Sequence, residues 1–201
     1  MKNKWLIGAL IGVAVVSFTG CSLLSTFQPT PTLNPTSTIT ITLTPEPTIT
    51  PTLMPTGEWI SSDDGYVSFQ GIPGYISVKQ GNLIASLSPG ADLATGPVIA
   101  ILHGSMEEMG LGSDLDEVAM NLIADNAFTS SSTSYSDLLG YNTVIVDYST
   151  TIGETQLTGK LTLFMVGDTN LVIIIATTPS DEWSGFQTYL DQSINSIQIA
   201  N

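Results

Sequence analysis

The chain has 201 residues with 18 acidic and four basic side chains, the latter all lysines, for a formal net charge of −14 at pH 7. So acidic a chain repels nucleic-acid phosphates and anionic headgroups, which argues against nucleic acid as a partner and leaves only a weak attraction for cations. A single cysteine, Cys21, excludes a disulfide within the chain and makes that residue's position informative.

Lys2 and Lys4 precede an apolar segment from Trp5 to about Val16, and Ser17, Phe18, Thr19 and Gly20 lead to Cys21. A charged start, a short apolar run and small residues before a cut site make an export signal. The run is short of the roughly 20 residues of a transmembrane helix. Phe18-Thr19-Gly20-Cys21 resembles the lipobox of bacterial lipoproteins, with Phe18 where that pattern usually has leucine. The resemblance implies that residues 1–20 are a signal peptide and that Cys21 becomes the mature N-terminus, its thiol alkylated to a thioether carrying diacylglycerol. Further acylation, with palmitate for example, would give two or three chains, which anchor stably where one binds only marginally. The implied location is the extracytoplasmic face of the cell membrane, with the lipid anchor as the membrane contact.

Residues 21–56 form the next unit. Between Ser25 and Thr56 seven prolines are spaced among threonines, and Glu46 is the only ionised side chain. Proline fixes φ and removes a backbone donor, so neither a helix nor a central strand propagates. Such chains act as semi-rigid spacers of ~3.1 Å per residue, and a disordered stalk reaching on the order of 90 Å is expected. Only "TITITLT", Thr38 to Thr44, alternates like a strand.

Residues 57–201 are enough for one compact domain that buries roughly 70% of its unfolded surface. "GYVSFQGI" and "GYISVKQ" alternate apolar and polar residues around Gly71-Ile72-Pro73-Gly74, a hairpin or a corner. "NLIASLS" and "VIAILHG" are two further short strands. "YNTVIVDYST", "QLTGKLTLFMV" and "NLVIIIATT", joined by short turns, predict an antiparallel meander. Leu171 to Ala176 is apolar on both faces and is predicted at the centre of the sheet, covered on both sides.

Two segments carry helical period. In "SDLDEVAMNLIADNAF", Leu115, Val118, Ala119, Leu122 and Ile123 make one face, with Ser113 as the predicted N-cap and acids in the first turn. In "TPSDEWSGFQTYLDQSINSIQI", Thr178 is the predicted cap, Pro179 the first helical residue, and Trp183, Phe186, Leu190 and Ile194 the buried stripe. "SIQI" is predicted to return as a last strand. The expected fold is α+β, a mostly antiparallel central sheet with two main helices packed on it as an α/β/α sandwich.

"SDDGYVSFQGIPGYISV", the middle strand–turn–strand unit and the ending "TTPSDEWSGFQTYLDQSINSI" together resemble the PsbP-like fold. That group includes the extrinsic oxygen-evolving protein of photosystem II, a Ran-binding import factor and many bacterial lipoproteins. Tyr75 stands where the group usually has tryptophan after its Pro-Gly corner. The resemblance implies a binding or adapter role, and no site of the group carries over residue by residue.

Catalytic and metal constellations are not expected. His103 is the only histidine and lies two residues before Ser105; a Ser-His-Asp site with Asp147 or Asp168 would lack the Gly-x-Ser-x-Gly elbow. One histidine and a lipidated cysteine do not make a zinc site. Counted from Asp114 as an EF-hand loop, position six is Ala119 and position twelve Asp125, so the calcium pattern fails; helix-dipole complementarity accounts for Asp114, Asp116, Glu117, Glu107 and Glu108. Phosphate-cradling and dinucleotide motifs are absent, and no cofactor is expected. Trp59, Tyr66, Phe69, Tyr75 and Trp183 fit core packing, and any exposed ring is expected near the Gly71–Gly74 corner, where Tyr66, Gly71 and Tyr75 would form a binding rim.

The reading is therefore a lipid-anchored envelope protein presenting an interaction or small-ligand-binding domain without catalytic activity. Its partner is an envelope protein or small ligand whose identity the sequence does not name. The alternatives are an envelope hydrolase using His103 with a carboxylate, and a passive acidic spacing domain.

Overall fold

The structure is a computed structural model and describes residues 57–91, 96–112 and 114–200. Cys21, the signal, the stalk with Thr38–Thr44, and Ser113 lie outside the described residues. The chain begins with β1 (Trp59–Ser61), β2 (Val67–Gln70), β3 (Ile76–Gln80), β4 (Leu83–Leu87) and β5 (Val98–Ser105). Helices α1 (Met106–Met109) and α2 (Leu115–Asp125) follow, then β6 (Thr129–Leu138), β7 (Tyr141–Ile152), β8 (Thr155–Val166) and β9 (Asn170–Pro179). Helix α3 (Trp183–Asn195) and β10 (Gln198–Ile199) close the domain.

Seven strands make one antiparallel sheet in the order β3-β4-β5-β9-β8-β7-β6, and β1-β2-β10 make a smaller one. The meander β7-β8-β9 is as its turns predict. Strand β9 is fourth of seven, and its alternation explains why it reads as apolar throughout. Leu171 and Ile173 pack on one side with Val118, Ala119, Leu122 and Ile123 of α2. Val172, Ile174 and Ala176 pack on the other with Phe69 of β2 and with Phe186 and Leu190 of α3. The large sheet is thus the middle layer of an α/β/α sandwich, with the small sheet sharing the α3 side. Each fully buried Leu, Ile or Phe contributes roughly 1.5–3 kcal/mol. Two-sided burial therefore makes β9 the strand on which both cores rest.

The Gly71–Gly74 segment, a hairpin or a corner by sequence, is a corner that passes the chain between sheets, since β2 and β3 belong to different ones. Other expectations are corrected. Asp114, not Ser113, is the N-cap of α2, its Oδ1 accepting from the Asp116 N–H at 2.9 Å and the Glu117 N–H at 3.3 Å. Thr178 does not cap α3. It is buried in β9, which runs on to Pro179 opposite Leu157, so the helix starts at Trp183 behind Glu182, which makes no side-chain cap bond. Strand pairing won over a local cap signal there, and Pro179 lies past the end of the β5 ladder at Val98–Thr177, so it is paired on one side only. On α3, Phe186 and Leu190 are buried, whereas Trp183 and Ile194 are only partly so. The single-turn α1, the short β1 and the exposed β6 have no apolar period and were not predicted as elements. No helix among the described residues is long and apolar enough to cross a membrane.

Gly159 of β8 shows how tightly the middle layer is filled. It pairs with Tyr148 of β7, whose ring occupies the space a Cβ would need, and such a Cβ would lie 2.6 Å from the Ala176 carbonyl oxygen. Tyr148 is itself buried, stacks on Phe128 at 4.3 Å and hydrogen-bonds the Thr177 hydroxyl. Neither neighbour has room to give. Gly159→Ala is expected to destabilise the protein by about 2 kcal/mol or more, as overpacking does, measured as a lowered urea midpoint with an unchanged m-value.

Candidate functional site

The turn between β1 and β2 is built by "SDDG". Asp64 Oδ1 accepts from the Ser62 hydroxyl at 2.6 Å and from the Tyr66 N–H at 3.0 Å, while Asp63 Oδ2 accepts from the Gly81 N–H at 2.9 Å. These bonds fix a carboxylate over the end of β5. There His103 is only 3% exposed, clamped through its backbone by Asn82, whose carbonyl accepts from the His103 N–H at 3.2 Å and whose amide donates to the His103 carbonyl. The imidazole lies under the Tyr66 ring at 5.1 Å between centroids, and its Nε2 is 3.4 Å from Asp64 Oδ1, outside hydrogen-bond geometry. Asp64, Tyr66, Asn82, His103, Ser105 and Glu108 line a cleft of about 200 Å³.

The carboxylate beside His103 is therefore Asp64, and neither Asp147 nor Asp168 is among the residues lining this cleft. Asp147 instead accepts from the Ser132 hydroxyl on β6 at 2.6 Å. His103 and Ser105 do share one cleft, as two same-face residues of a strand. The Ser105 hydroxyl oxygen, however, is the N-cap of α1 and accepts from the Glu108 N–H at 3.2 Å. Among the described residues no group of three His, Cys, Asp or Glu side chains is placed to hold a metal ion.

Burial lowers the His103 pKa below its ordinary 6.5, and this outweighs the nearby Asp64 carboxylate, which acts the other way. For Asp64, partial desolvation would raise the pKa. The Ser62 and Tyr66 hydrogen bonds and the field of His103 together outweigh that and hold it below 3.8.

The expected rim is dispersed. Tyr66 belongs to the His103 cleft. Gly71 is buried under the Ile60 and Ser86 side chains, and its N–H donates to the Glu58 carbonyl at 2.9 Å, so it offers a partner no surface. Tyr75 is half-buried against the α3-side core, where burial and then Glu182 push its phenol above the ordinary value. The exposed ring beside the corner is Trp59, at 49%. Phe69 is buried core, and Trp183 is half-buried against Phe186.

A second, wider recess of about 600 Å³ opens between the N-terminus of α2 and strands β6 and β7. Tyr135 of β6 is 68% exposed there, and its hydroxyl donates to Asp116 Oδ1 at 2.9 Å. This bond to the carboxylate, with the field of Asp116, raises the Tyr135 pKa.

Neither a protein-family model nor a curated protein matches the chain. Solved structures do. The chain is similar to cyanobacterial PsbP (CyanoP) from Synechocystis sp. PCC 6803, with a TM-score of 0.51 and 12% identity over 71% of this chain and 92% of that one. It is likewise similar to LpqN, involved in cell envelope biogenesis of Mycobacterium tuberculosis, with a TM-score of 0.53 and 12% identity over 72% of this chain and 90% of that one. A protein from Bacteroides thetaiotaomicron matches with a TM-score of 0.51 and 13% identity over 72% of this chain, which spans only 49% of that protein. Identities this low speak for the fold alone, and the fold is PsbP-like.

The His103 pKa sets a pH dependence with a definite sign. A histidine whose folded pKa lies below its unfolded value binds fewer protons folded than unfolded, so stability is full above pH 6.5 and falls as the pH drops below it. Asp64 adds a second loss only below pH 3.8. Urea unfolding of the full chain at about pH 7.5 and about pH 5.5 should show a smaller acid loss in His103→Gln than in the parent. Equal losses in both would free His103 of that role.

Proposed function

We propose that the protein is a lipid-anchored lipoprotein of the extracytoplasmic membrane face, presenting its PsbP-like domain as a non-catalytic binding module on a Thr/Pro stalk. One observation carries the proposal. Lys2 and Lys4, the apolar segment, Phe18-Thr19-Gly20-Cys21 and seven prolines stand in that order before a folded domain that begins at about Gly57. This is the arrangement a signal, an anchor, a spacer and a displayed domain require. The likeness to LpqN, a protein of cell envelope biogenesis, fits a domain of this fold working in an envelope.

Binding is favoured over catalysis by the chemistry of the His103 cleft. A nucleophilic serine needs a base within hydrogen-bond reach. Here the Ser105 oxygen is engaged in capping α1, and His103 Nε2 is turned to Asp64. The hydrolase reading draws on the cleft that His103 and Ser105 share. It would be upheld by turnover of an envelope ester or amide that His103→Ala abolishes, and no such turnover is expected.

Cys21→Ser is expected to abolish labelling by a radioactive fatty acid and to leave the precursor uncut. A variant still labelled, or processed at the same bond, would overturn the lipoprotein assignment. Deletion of residues 25–56 should leave the melting temperature of the domain within about 2 °C of the parent, because a proline-punctuated spacer adds no packed apolar surface.

A further inference from the structure

Among the described residues, strand β6 is the last strand of the large sheet and pairs only with β7. Nine of its ten residues, Thr129 to Asp137, are exposed. Edge strands are commonly blunted by lysine, proline, a bulge or shortness, because their free N–H and C=O groups otherwise invite another strand. The opposite edge, β3, carries Lys79 and is five residues long. In β6 there is no lysine or proline, and its one irregularity falls between Ser130 and Ser132. The ladder from Ser132 to Leu138 is then unbroken. One row of backbone groups along this stretch faces away from β7, and among the described residues no strand lies beside it.

The chemistry next to that edge has one sign. Asp114 and Asp116 at the start of α2 line the recess beside Tyr135, Ser136, Asn142 and Val144. Tyr135 pairs with Val144, which packs in the α2-side core, so its ring stands on the α2 face of the sheet, held there by Asp116. Neither lysine of the domain is among the lining residues. Lys79 is on the far edge, and Lys160 lies on β8 opposite Asp147. A second copy of the chain would bring seventeen acidic residues per domain against two lysines.

We propose that the free edge of β6 takes up an extended, lysine-bearing peptide segment of a partner protein as an eighth strand of the large sheet. The proposal rests on reading the domain as a binding module. Main-chain pairing along Ser132–Leu138 holds the segment, as in other strand additions, and alternate side chains choose it. Lysines falling on the α2 face meet Asp116 and Asp114, and the exposed face of Tyr135 offers a cation–π contact.

The test uses the full chain in detergent micelles and three synthetic peptides of about eight residues, the length of an ordinary strand. One alternates lysine and threonine, one alternates glutamate and threonine, and one is the lysine peptide N-methylated at every second residue. The lysine peptide is expected to bind saturably and to slow amide exchange in residues 132–138. N-methylation should weaken it about ten-fold or more by removing main-chain bonds. Asp116→Asn should weaken it on the order of three-fold, as loss of an exposed charge partner does, with the fold retained. The glutamate peptide should not bind.

Equal binding of the glutamate or N-methylated peptide, or protection away from β6, would overturn the proposal. So would amide protection of β6 in the free protein through a concentration-dependent dimer. Protection in the free chain that vanishes on deleting residues 25–56 would assign the edge to the chain's own Thr38–Thr44 and overturn it equally. Any of these results leaves the broader binding reading open to ligands at the His103 cleft, whereas turnover in the hydrolase assay would end that reading whatever the peptides do.

Discussion

Two-sided burial of one strand governs this domain. Strand β9 lies at the centre of seven and supplies Leu171 and Ile173 to one core and Val172, Ile174 and Ala176 to the other. The packing spreads outward from it: α2 also lies against β7 and β8, and β1 against β3 and β4. Helix α2 closes one face, and α3 with the three-stranded sheet closes the other. Polar or charged substitution on β9 would therefore damage a core whichever face it pointed to. Away from that centre the requirement relaxes outward, until β6 has almost nothing buried.

The candidate site follows from the meeting of two sheets at the end of β5. His103 is carried by the large sheet and Asp64 by the turn of the small one, so their 3.4 Å contact exists only once both are formed. Three neighbours of this contact also serve the fold: Asp64 ties the turn, Asn82 ties the strand and Ser105 starts a helix. The imidazole itself is buried under a tyrosine ring, with its Nε2 facing Asp64 but outside hydrogen-bond geometry.

Much of the architecture was legible because burial imposes a period. The strands β2, β4, β5, β7, β8 and β9 carry apolar alternation or two-sided apolar runs, and α2 and α3 carry the helical stripe. Strand β6 carries no such mark: exposed on both faces, "TSSSTSYSDL" has one aliphatic residue, Leu138 at its end, too few to show a phase, and only its β-favouring threonines and tyrosine hint at a strand. The start of α3 differs from its sequence signal because Thr178-Pro179 makes a good cap locally while pairing with β8 holds it extended. At the site, the sequence offers Asp147 or Asp168 as the partner of His103 and not Asp64, since spatial neighbours on different sheets leave no spacing to read. The one usable signal was the Ser62-Asp63-Asp64-Gly65 turn, whose first serine and second aspartate announce a side-chain-bonded reversal with a carboxylate held in place.

The small sheet has a mechanical meaning. Its strands β1 and β10 come from the two ends of the described domain and flank β2 on either side, through three register pairs in one case and two in the other. A pull applied at Gly57 enters through β1, in the smaller and less bonded of the two sheets. That sheet would peel while the seven-stranded one, zipped along eight to ten residue pairs at each of its inner joints from β5 to β7, still held. Force-extension traces would then show a small early step before the main rupture, a yielding link between whatever holds the amino end and the body that is displayed.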